Sequence, residues 1–349
     1  MGTLLDKPVT EKETATESGP DGIEFGVSAM QGWRVDMEDS HTIITNVVGL
    51  EGHSFVAVYD GHGGALCAAH AGENMMRHIR ETAEFAEYAE MAEKDTKVLE
   101  DALYKAFLNC DKSVKVSQDS NPDGDRSGST AVASFVTPTH VVLAHAGDSR
   151  AVLASGHKVC VVATEDHKPY NDGERARIEK AGGVVSMKRV DGDLAVSRAL
   201  GDFQYKDDDL KAEDCKVSPA PETKSIPRSP HQDEFLIVAC DGIWDVMSNE
   251  DCAQAVREIF EEGESDLGLA CEEILDMCLF EGSRDNMSAV LVTFPGLKRS
   301  KKGEGVKGRR AKRANEDSES NVDSISQEEE QTTEGGLAVE EATAESKVA

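Results

Sequence analysis

Short runs of apolar and β-branched residues recur along the chain and predict β-strands. The run FVAVY at residues 55–59 lacks the alternation of a half-buried strand, so we expect it to be covered on both faces. Short polar links separate several of the runs, which favours antiparallel neighbours. Further strands are predicted at residues 23–30, 41–48, 129–137, 141–146, 151–163, 235–239 and 289–294.

Between these runs the apolar period lengthens to three or four residues, which predicts helices. Residues 98–110 place one set of apolar side chains on a single helical face: Leu99, Ala102, Leu103, Ala106, Phe107 and Cys110. Helices are also predicted at residues 65–78, 172–180 and 267–279, and after Ser248, where Asp251 completes a capping box. Because the helices are grouped rather than alternating with strands, the pattern predicts an α+β fold with antiparallel sheets.

Charge is unevenly distributed along the 349 residues, whose formal net charge is −30. Residues 298–313 carry nine Lys or Arg against one acid, whereas residues 315–349 carry eleven acids against one Lys. The rest of the chain, residues 1–297, is also strongly acidic. Such a surface disfavours nucleic acid and anionic membranes as partners, although simple solubility is the more ordinary reason for it.

Four segments follow from this composition. We expect a disordered lead at residues 1–22, a catalytic domain at 23–296, a basic linker at 297–314 and a disordered acidic tail at 315–349. The basic linker is compatible with nuclear import or with an anionic partner. Folding back onto the acidic domain, pairing with the acidic tail and a merely solvated linker remain open alternatives.

The eight cysteines have no C-x-x-C spacing and mostly lie in apolar patterns, which is typical of reduced core cysteines. No apolar run approaches the length of a membrane span, and the first 24 residues are polar and do not resemble a signal peptide. We therefore expect a cytoplasmic and/or nuclear protein. A monomer is favoured, although the sequence leaves the oligomeric state unknown.

Acidic residues stand at the ends of several predicted strands. Asp60 ends the run at residues 54–59 and is followed by Gly61 and His62; the other acids in such positions are Asp148, Asp241, Asp285 and the pair Glu38-Asp39. Any one of them is more often a solvated loop acid, but carboxylates gathered at one end of a sheet repel one another unless cations neutralise them. The sequence therefore predicts a metal site. Oxygen ligands favour Mg²⁺ or Mn²⁺.

These segments resemble the metal-dependent serine/threonine protein phosphatases of type 2C. The resemblance covers about residues 23 to 294 and is specific because seven motifs occur together in the family's order: GWRVDMEDSH (32–41), YDGHGG (59–64), SGSTA (127–131), GDSRAVL (147–153), LAVSRALGDF (194–203), ACDGIWDVM (239–247) and SRDNMSAVLV (283–292). It implies a four-layer sandwich, with two antiparallel sheets flanked by helices on both sides.

The resemblance also implies two metal ions at one end of the sandwich. Asp60 would bridge both ions. Asp241 and Asp285 would complete the ligands of one ion, and Glu38 with the Gly61 carbonyl would serve the other. A water activated by the metals would attack the phosphate directly, without a covalent phosphoenzyme.

Further roles follow from the same resemblance. Asp148, with Asp241, would hold a third, weaker ion, and Asp39 would bind a water at the metal site. Arg34 would grip the substrate phosphate, since a guanidinium can bind two phosphate oxygens at once. His62 would be the general acid, because imidazole titrates in the range needed to protonate a serine or threonine oxygen.

Asp193 departs from the family's pattern, where a small or neutral residue is usual. With Asp191 it adds negative charge beside Arg189, a candidate substrate contact, although an exposed arginine without a role is the more common case. The predicted function is metal-dependent hydrolysis of phosphoserine and phosphothreonine in proteins. The alternative is a catalytically silent scaffold that binds phosphoproteins.

Overall fold

The computed structural model describes residues 4–122, 124–156 and 158–315. Its strands are β1 (Leu4–Ser18), β2 (Glu24–Arg34), β3 (Ser40–Ile44), β4 (Ser54–Tyr59), β5 (Gly61–His62), β6 (Gly128–Ser129), β7 (Ala131–Val136), β8 (His140–Ala146), β9 (Arg150–Ser155), β10 (Lys158–Ala163), β11 (Val185–Ser186), β12 (Arg189–Val190), β13 (Leu200–Gly201), β14 (Glu222–Pro227), β15 (Asp233–Ala239) and β16 (Met287–Thr293).

The α-helices are α1 (Leu66–Arg80), α2 (Ala83–Glu90), α3 (Thr96–Asp119), α4 (Asp172–Lys180), α5 (Asp241–Trp244), α6 (Asn249–Glu261) and α7 (Leu267–Phe280), followed by α8 (residues 305–315). Short 3₁₀ turns occur at Pro20–Gly22, Phe203–Tyr205 and Ala212–Asp214. The predicted capping box at α6 is present, because Ser248 Oγ accepts the Asp251 N–H at 3.1 Å and donates to its carboxylate. None of the described helices is long and apolar enough to cross a lipid bilayer.

Two antiparallel sheets form the middle of the molecule. One has six strands in the order β1-β2-β16-β15-β9-β10, and the other has five in the order β14-β8-β7-β4-β3. Aliphatic side chains fill the space between them, among them Val56, Val58, Leu236, Val238 and Val290. The uninterrupted apolar run of β4 is explained by this position, since both of its faces are buried.

Helices cover the outer face of each sheet. Helices α1, α2 and α3 pack on the five-stranded sheet, where Leu103 and Phe107 meet Phe55 and Phe135. Helices α6 and α7 pack on the six-stranded sheet through a second apolar cluster that contains Ile274 and Leu291. The predicted four-layer α+β sandwich is confirmed.

The amino-terminal segment differs from the prediction of a disordered lead at residues 1–22. Residues 4–18 form β1, an edge strand paired antiparallel with β2. Polar contacts fasten β1 to α7: Lys12 Nζ lies 2.6 Å from Asp276 Oδ1, and Thr16 Oγ1 accepts the Gly268 N–H at 2.8 Å. Because these contacts are polar and link distant parts of the chain, the local sequence carries no hydrophobic pattern that would reveal the strand.

The segment at 297–314 is not an unattached basic linker either. Val306 is only 1% exposed and belongs to the same apolar cluster as α6 and α7. In α8, Arg309 Nε donates to Glu262 Oε2 at 2.6 Å, and Arg313 Nη2 donates to Glu273 Oε2 at 2.7 Å. The segment therefore folds back onto the acidic domain. The predicted acidic tail lies outside the described residues from position 316 onward.

Candidate active site

The acidic residues singled out in the sequence meet at one end of the sandwich. Carboxylate oxygens of Asp60, Asp148 and Asp241 lie within 4.8 Å of one another. Asp60 follows β4, Asp148 lies between β8 and β9, and Asp241 begins α5 two residues after the end of β15. The convergence follows from the topology, because the turns that carry these acids all open at the same end of the two sheets.

Electrostatics makes this group unfavourable without cations. Burial, together with the charges of Asp241, Asp39 and Asp148, raises the pKa of Asp60 well above its ordinary value. Burial and the charges of Asp148 and Asp285 likewise raise the pKa of Asp241. Carboxylates this close together and partly removed from water need a cation to remain ionised.

Asp39 is a second sign that a cation belongs here. A carboxylate oxygen of Asp39 lies within 4.8 Å of Asp60 and Cys240, yet neither oxygen has a hydrogen-bond partner in the described part of the chain. Burial raises the pKa of Asp39 to about 7. The Ser288 hydroxyl and the Cys240 thiol lie near enough to lower this pKa in part, although neither makes a hydrogen bond of normal geometry to the carboxylate. Such hard oxygen donors fit Mg²⁺ or Mn²⁺, so the residues present suit the predicted metals.

Gly61 brings the Glu38 loop against this group. A Cβ added at Gly61 would lie 2.2 Å from the Glu38 carbonyl oxygen, so only glycine allows the two backbones to approach so closely. The Glu38 N–H donates to Asn286 Oδ1 at 2.9 Å, and the Asn286 amide donates in turn to the carbonyls of Gln31 and Asp36. Asn286 thereby fixes the Glu38-Asp39 turn beside the site.

A cavity of about 440 Å³ opens onto the carboxylates. Arg34, His62, Arg189 and Asp285 line it together with the three clustered aspartates. Arg34 Nη2 lies 2.5 Å from Asp285 Oδ2, so the proposed phosphate-gripping arginine pairs with a proposed metal ligand. Arg189, in β12, donates to the carbonyl of Asp193 at 2.5 Å, three residues after the end of that strand.

His62 is held by a residue that the sequence reasoning did not single out. Its Nε2 lies 2.7 Å from Asp202 Oδ2, and a Cβ added at Gly128 would collide with both side chains. Burial lowers the pKa of His62, but the hydrogen bond and charge of Asp202 outweigh it and raise the pKa above its ordinary value. Asp202 sits at φ +51°, a strained conformation for a residue other than glycine.

Comparison with known proteins decides the family. The model of the protein phosphatase 2C family matches residues 23–287. The chain belongs to the protein phosphatase 2C family. It is therefore a metal-dependent protein serine/threonine phosphatase, a phosphoric monoester hydrolase.

Relatives and solved structures agree with this family. The chain is 45% identical over 297 residues to protein phosphatase 1A of Homo sapiens, which covers 84% of this chain and 76% of the relative. It is 45% identical over 299 residues to protein phosphatase 1B of Mus musculus, with the same coverage of 84% and 76%.

Among solved structures, a sex-determining protein of C. elegans has a TM-score of 0.67 at 28% identity, over 79% of this chain and 65% of that one. The fold is also that of the serine-threonine phosphatase 2C of Toxoplasma gondii, which has a TM-score of 0.69 at 22% identity, over 84% of this chain and 98% of that one.

Two charged residues of this phosphatase, Lys168 and Asp245, line the cavity without having been predicted. Lys168 Nζ lies 2.5 Å from Asp148 Oδ2, and although burial opposes it, the charges of Asp148 and Asp241 raise the pKa of Lys168. Asp245 follows Asp241 by four residues, which is about one helical turn. That spacing was a signal for Asp245, whereas Lys168 reaches the site only through the fold.

Proposed function

We propose that this phosphatase hydrolyses phosphoserine and phosphothreonine in proteins by direct attack of water, without a covalent phosphoenzyme. The observation that carries the proposal is the group of partly buried carboxylates within 4.8 Å of one another, facing a cavity that also contains Arg34 and His62. A site built of acids repels a phosphate dianion unless cations are present. The same acids attract cations strongly.

Two divalent ions, Mg²⁺ or Mn²⁺, would be held by the proposed ligands. Asp60 would serve both ions, Asp241 and Asp285 would serve one, and Glu38 with the Gly61 carbonyl would serve the other. When bound, the ions neutralise the phosphate charge and lower the pKa of a water. Asp148, with Asp241, would hold a third, weaker ion. The carboxylate of Asp39, which has no hydrogen-bond partner among the described residues, would accept hydrogen bonds from a water at the site.

Arg34 and His62 complete the proposed chemistry. The Arg34 guanidinium binds two phosphate oxygens in a fixed geometry and orients the phosphate in the cavity. His62 donates a proton from its ring to the serine or threonine oxygen that leaves. Asp202 supports this role, since its hydrogen bond to Nε2 holds the imidazole and favours the protonated ring. Arg189 is proposed as a contact to the substrate from the cavity wall.

Cysteine chemistry offers no competing nucleophile in the described residues. Cys240 lies nearest to the carboxylates, and burial together with the charges of Asp39 and Asp60 raises its pKa, so that the thiol stays protonated. Cys67 and Cys110 are buried as well, and burial raises the pKa of each thiol. A protonated, buried thiol is a poor nucleophile, which favours direct attack by water.

The decisive experiment measures phosphate release from a phosphothreonine peptide after treatment with a chelator, with and without added Mn²⁺. We expect turnover only with the metal. Absence of turnover at any Mn²⁺ or Mg²⁺ concentration, with retained binding of the phosphopeptide, would replace the enzyme with the catalytically silent scaffold.

We also propose a monomer that acts in the cytoplasm and/or nucleus on phosphorylated proteins, and not on nucleic acid or membranes. Within the basic segment the arginines of α8 pair with acids, whereas one set of lysines is exposed: Lys298, Lys301, Lys302, Lys307 and Lys312. These lysines are the accessible part of a nuclear import signal. Replacing all five with alanine should move a fluorescent fusion from nucleus to cytoplasm; unchanged nuclear accumulation would remove the import role.

A further inference from the structure

A second cavity, the side groove, lies next to the active site. Its volume is about 330 Å³, at the small end of the range for ligand clefts. Arg34, Asp245 and Asp285 line both the side groove and the main cavity. The two cavities therefore share a wall, and that wall contains the arginine proposed to hold the substrate phosphate.

The remaining lining is partly apolar and firmly held. Leu4, at the start of β1, pairs in register with Arg34 and is 40% exposed, and Val246 faces the groove from the turn after α5. Ser283 Oγ donates to the Gly242 carbonyl at 2.7 Å, which ties the turn after α7 to α5. The groove is thus a formed surface between three segments of the chain.

Arg284 contributes a positive charge to the side groove. It is exposed on the groove wall and makes no ion pair with any residue that the structure describes. The two acids of the wall are already opposed by cations, since Asp285 pairs with Arg34 and the charge of Lys168 acts on Asp245. In a strongly acidic protein, an arginine without a partner beside the active site is suited to an acidic group from outside.

We propose that the side groove binds the residues that flank the phosphorylated serine or threonine of the substrate protein. An apolar side chain packs against Leu4 and Val246, and an acidic side chain pairs with Arg284. This inference rests on the proposed function, because a phosphate held by Arg34 places the adjoining peptide at the shared wall. The volume accommodates only a few side chains, so the groove selects local sequence around the phosphorylated residue.

The test compares phosphothreonine peptides that carry either Glu or Lys at single positions from three before to three after the phosphothreonine. The measured quantity is the ratio of kcat/KM for the Glu peptide to that for the Lys peptide. Because both peptides are measured with the same enzyme variant, a mutation that alters the chemical step affects both values of kcat/KM equally and leaves their ratio unchanged. For the parent enzyme we expect a ratio of about 5 at one or two positions, as for an exposed ion pair.

Arg284→Glu should bring that ratio to about 1 or below at the same positions. Arg80→Glu is the matched control, since it makes the same charge change at the exposed end of α1 and should leave the ratio unchanged. In parallel, Leu4→Ser should reduce the preference for a flanking Leu over Ser by about threefold, because it removes apolar contact area.

Equal ratios in the parent, Arg284→Glu and Arg80→Glu at every position would overturn the proposal. A parent enzyme that releases phosphate from none of the peptides with Mn²⁺ would instead contradict the proposed function. A ratio that falls equally in Arg284→Glu and Arg80→Glu would indicate a general charge effect and would also reject the groove.

Discussion

Two dense groups of carboxylates lie in different parts of the molecule. The site cluster consists of Asp39, Asp60, Asp148 and Asp241. The helix cluster consists of Glu262, just after α6, and of Glu272, Glu273 and Asp276 on α7. Each group brings several negative charges to one part of the molecule.

The helix cluster is neutralised by the chain itself. Arg309, Arg310 and Arg313 of α8 pair with Glu262, Glu272 and Glu273 respectively. Glu273 is fully buried and accepts two hydrogen bonds from one guanidinium. These acids therefore hold a helix in place.

The site cluster is not neutralised in this way. Lys168 pairs with Asp148, but both oxygens of Asp39 lack a hydrogen-bond partner among the described residues, and the pKa of Asp60 is raised by burial and by its acidic neighbours. The difference teaches how to tell structural acids from functional ones in one acidic protein. Acids that the chain leaves without cations are those that take cations from solution.

Asp60→Asn should have the largest effect. We expect phosphatase activity to fall at least about 10³-fold, because an amide cannot bridge two cations and metal binding contributes several kcal/mol to the transition state. In a chelator, the free energy of unfolding should be unchanged or higher, since one repelling buried charge is gone. Glu87→Gln on the exposed face of α2 is the control. Near-normal turnover of Asp60→Asn at low Mn²⁺ would show that the bridging role is wrong.

His62→Gln tests the ionisable group that borders the site cluster. Turnover of a phosphothreonine peptide should fall by about 10² to 10⁴, the usual contribution of a general acid. Turnover of p-nitrophenyl phosphate should fall much less, because its leaving group needs little protonation. Equal losses on both substrates would reject the role of His62 as the acid.

Truncation after Pro295 removes α8 and leaves the helix cluster without its arginines. The variant also loses the buried side chains Leu297 and Val306, so we expect the free energy of unfolding to fall by about 3–5 kcal/mol. Activity at low temperature should persist, since none of the residues assigned to chemistry lies beyond Asp285. A chain ending after residue 315 is the control. Unfolding curves that coincide for the two chains would mean that α8 contributes no stability.

Arg313→Ala addresses a single pair of the helix cluster. It leaves the buried carboxylate of Glu273 without a partner, which should lower the free energy of unfolding by about 1–3 kcal/mol, since the arginine is partly exposed. Adding Glu273→Gln should recover part of the loss. Lys312→Ala, at an exposed neighbouring position, should hardly change the free energy of unfolding. If Lys312→Ala lost as much stability as Arg313→Ala, the loss could not be assigned to the pair of Arg313 with Glu273.

The smallest expected effect is the contribution of Glu174 to the pH dependence of stability. Burial alone would raise its pKa, but the hydrogen bond from Arg198 and the charges of Arg177 and Arg198 lower it to about 2. A depressed pKa stabilises the folded state above the ordinary value near 4.5, and this contribution is lost as the pH falls towards 2.

The parent should therefore lose stability relative to Glu174→Gln on acidification. The difference between their free energies of unfolding should be about 1 kcal/mol smaller at pH 4 than at pH 7. Urea unfolding at both pH values measures the difference. A gap between the two proteins that stays constant with pH would contradict the lowered pKa of Glu174.

Local sequence predicted the elements whose signals are local. The unbroken apolar run of β4, the helical period of α3 and the Ser248 capping box all correspond to what the structure contains. The strand β1 and the helix α8 could not be predicted in the same way. Most of their side chains are polar or charged, and even with the buried Val306 α8 carries no periodic apolar pattern. Their stability comes from partners more than a hundred residues away or on another element.

For the active site, the sequence indicated the acids at strand ends and the resemblance supplied their roles. It did not indicate Asp202 or Lys168, because a pairing such as His62 with Asp202 spans 140 residues and is created only by folding. Asp245 was overlooked although its spacing from Asp241 was a signal. Nor did it reveal that Arg34 pairs with Asp285, which joins the proposed phosphate grip to the proposed metal site.

By itself, the pattern of residues determined an α+β fold with antiparallel sheets and a metal site of oxygen ligands, because strand and helix periods and the glycines beside carboxylates are properties of neighbouring residues. The resemblance to a known family supplied the four-layer sandwich and the reaction. Only the tertiary structure decided which charges remain without partners. Whether an acid is satisfied depends on which cations the fold brings within about 4 Å of it. For this reason, the basic segment became part of the folded domain, and the aspartates at the sheet ends became a site for metal ions.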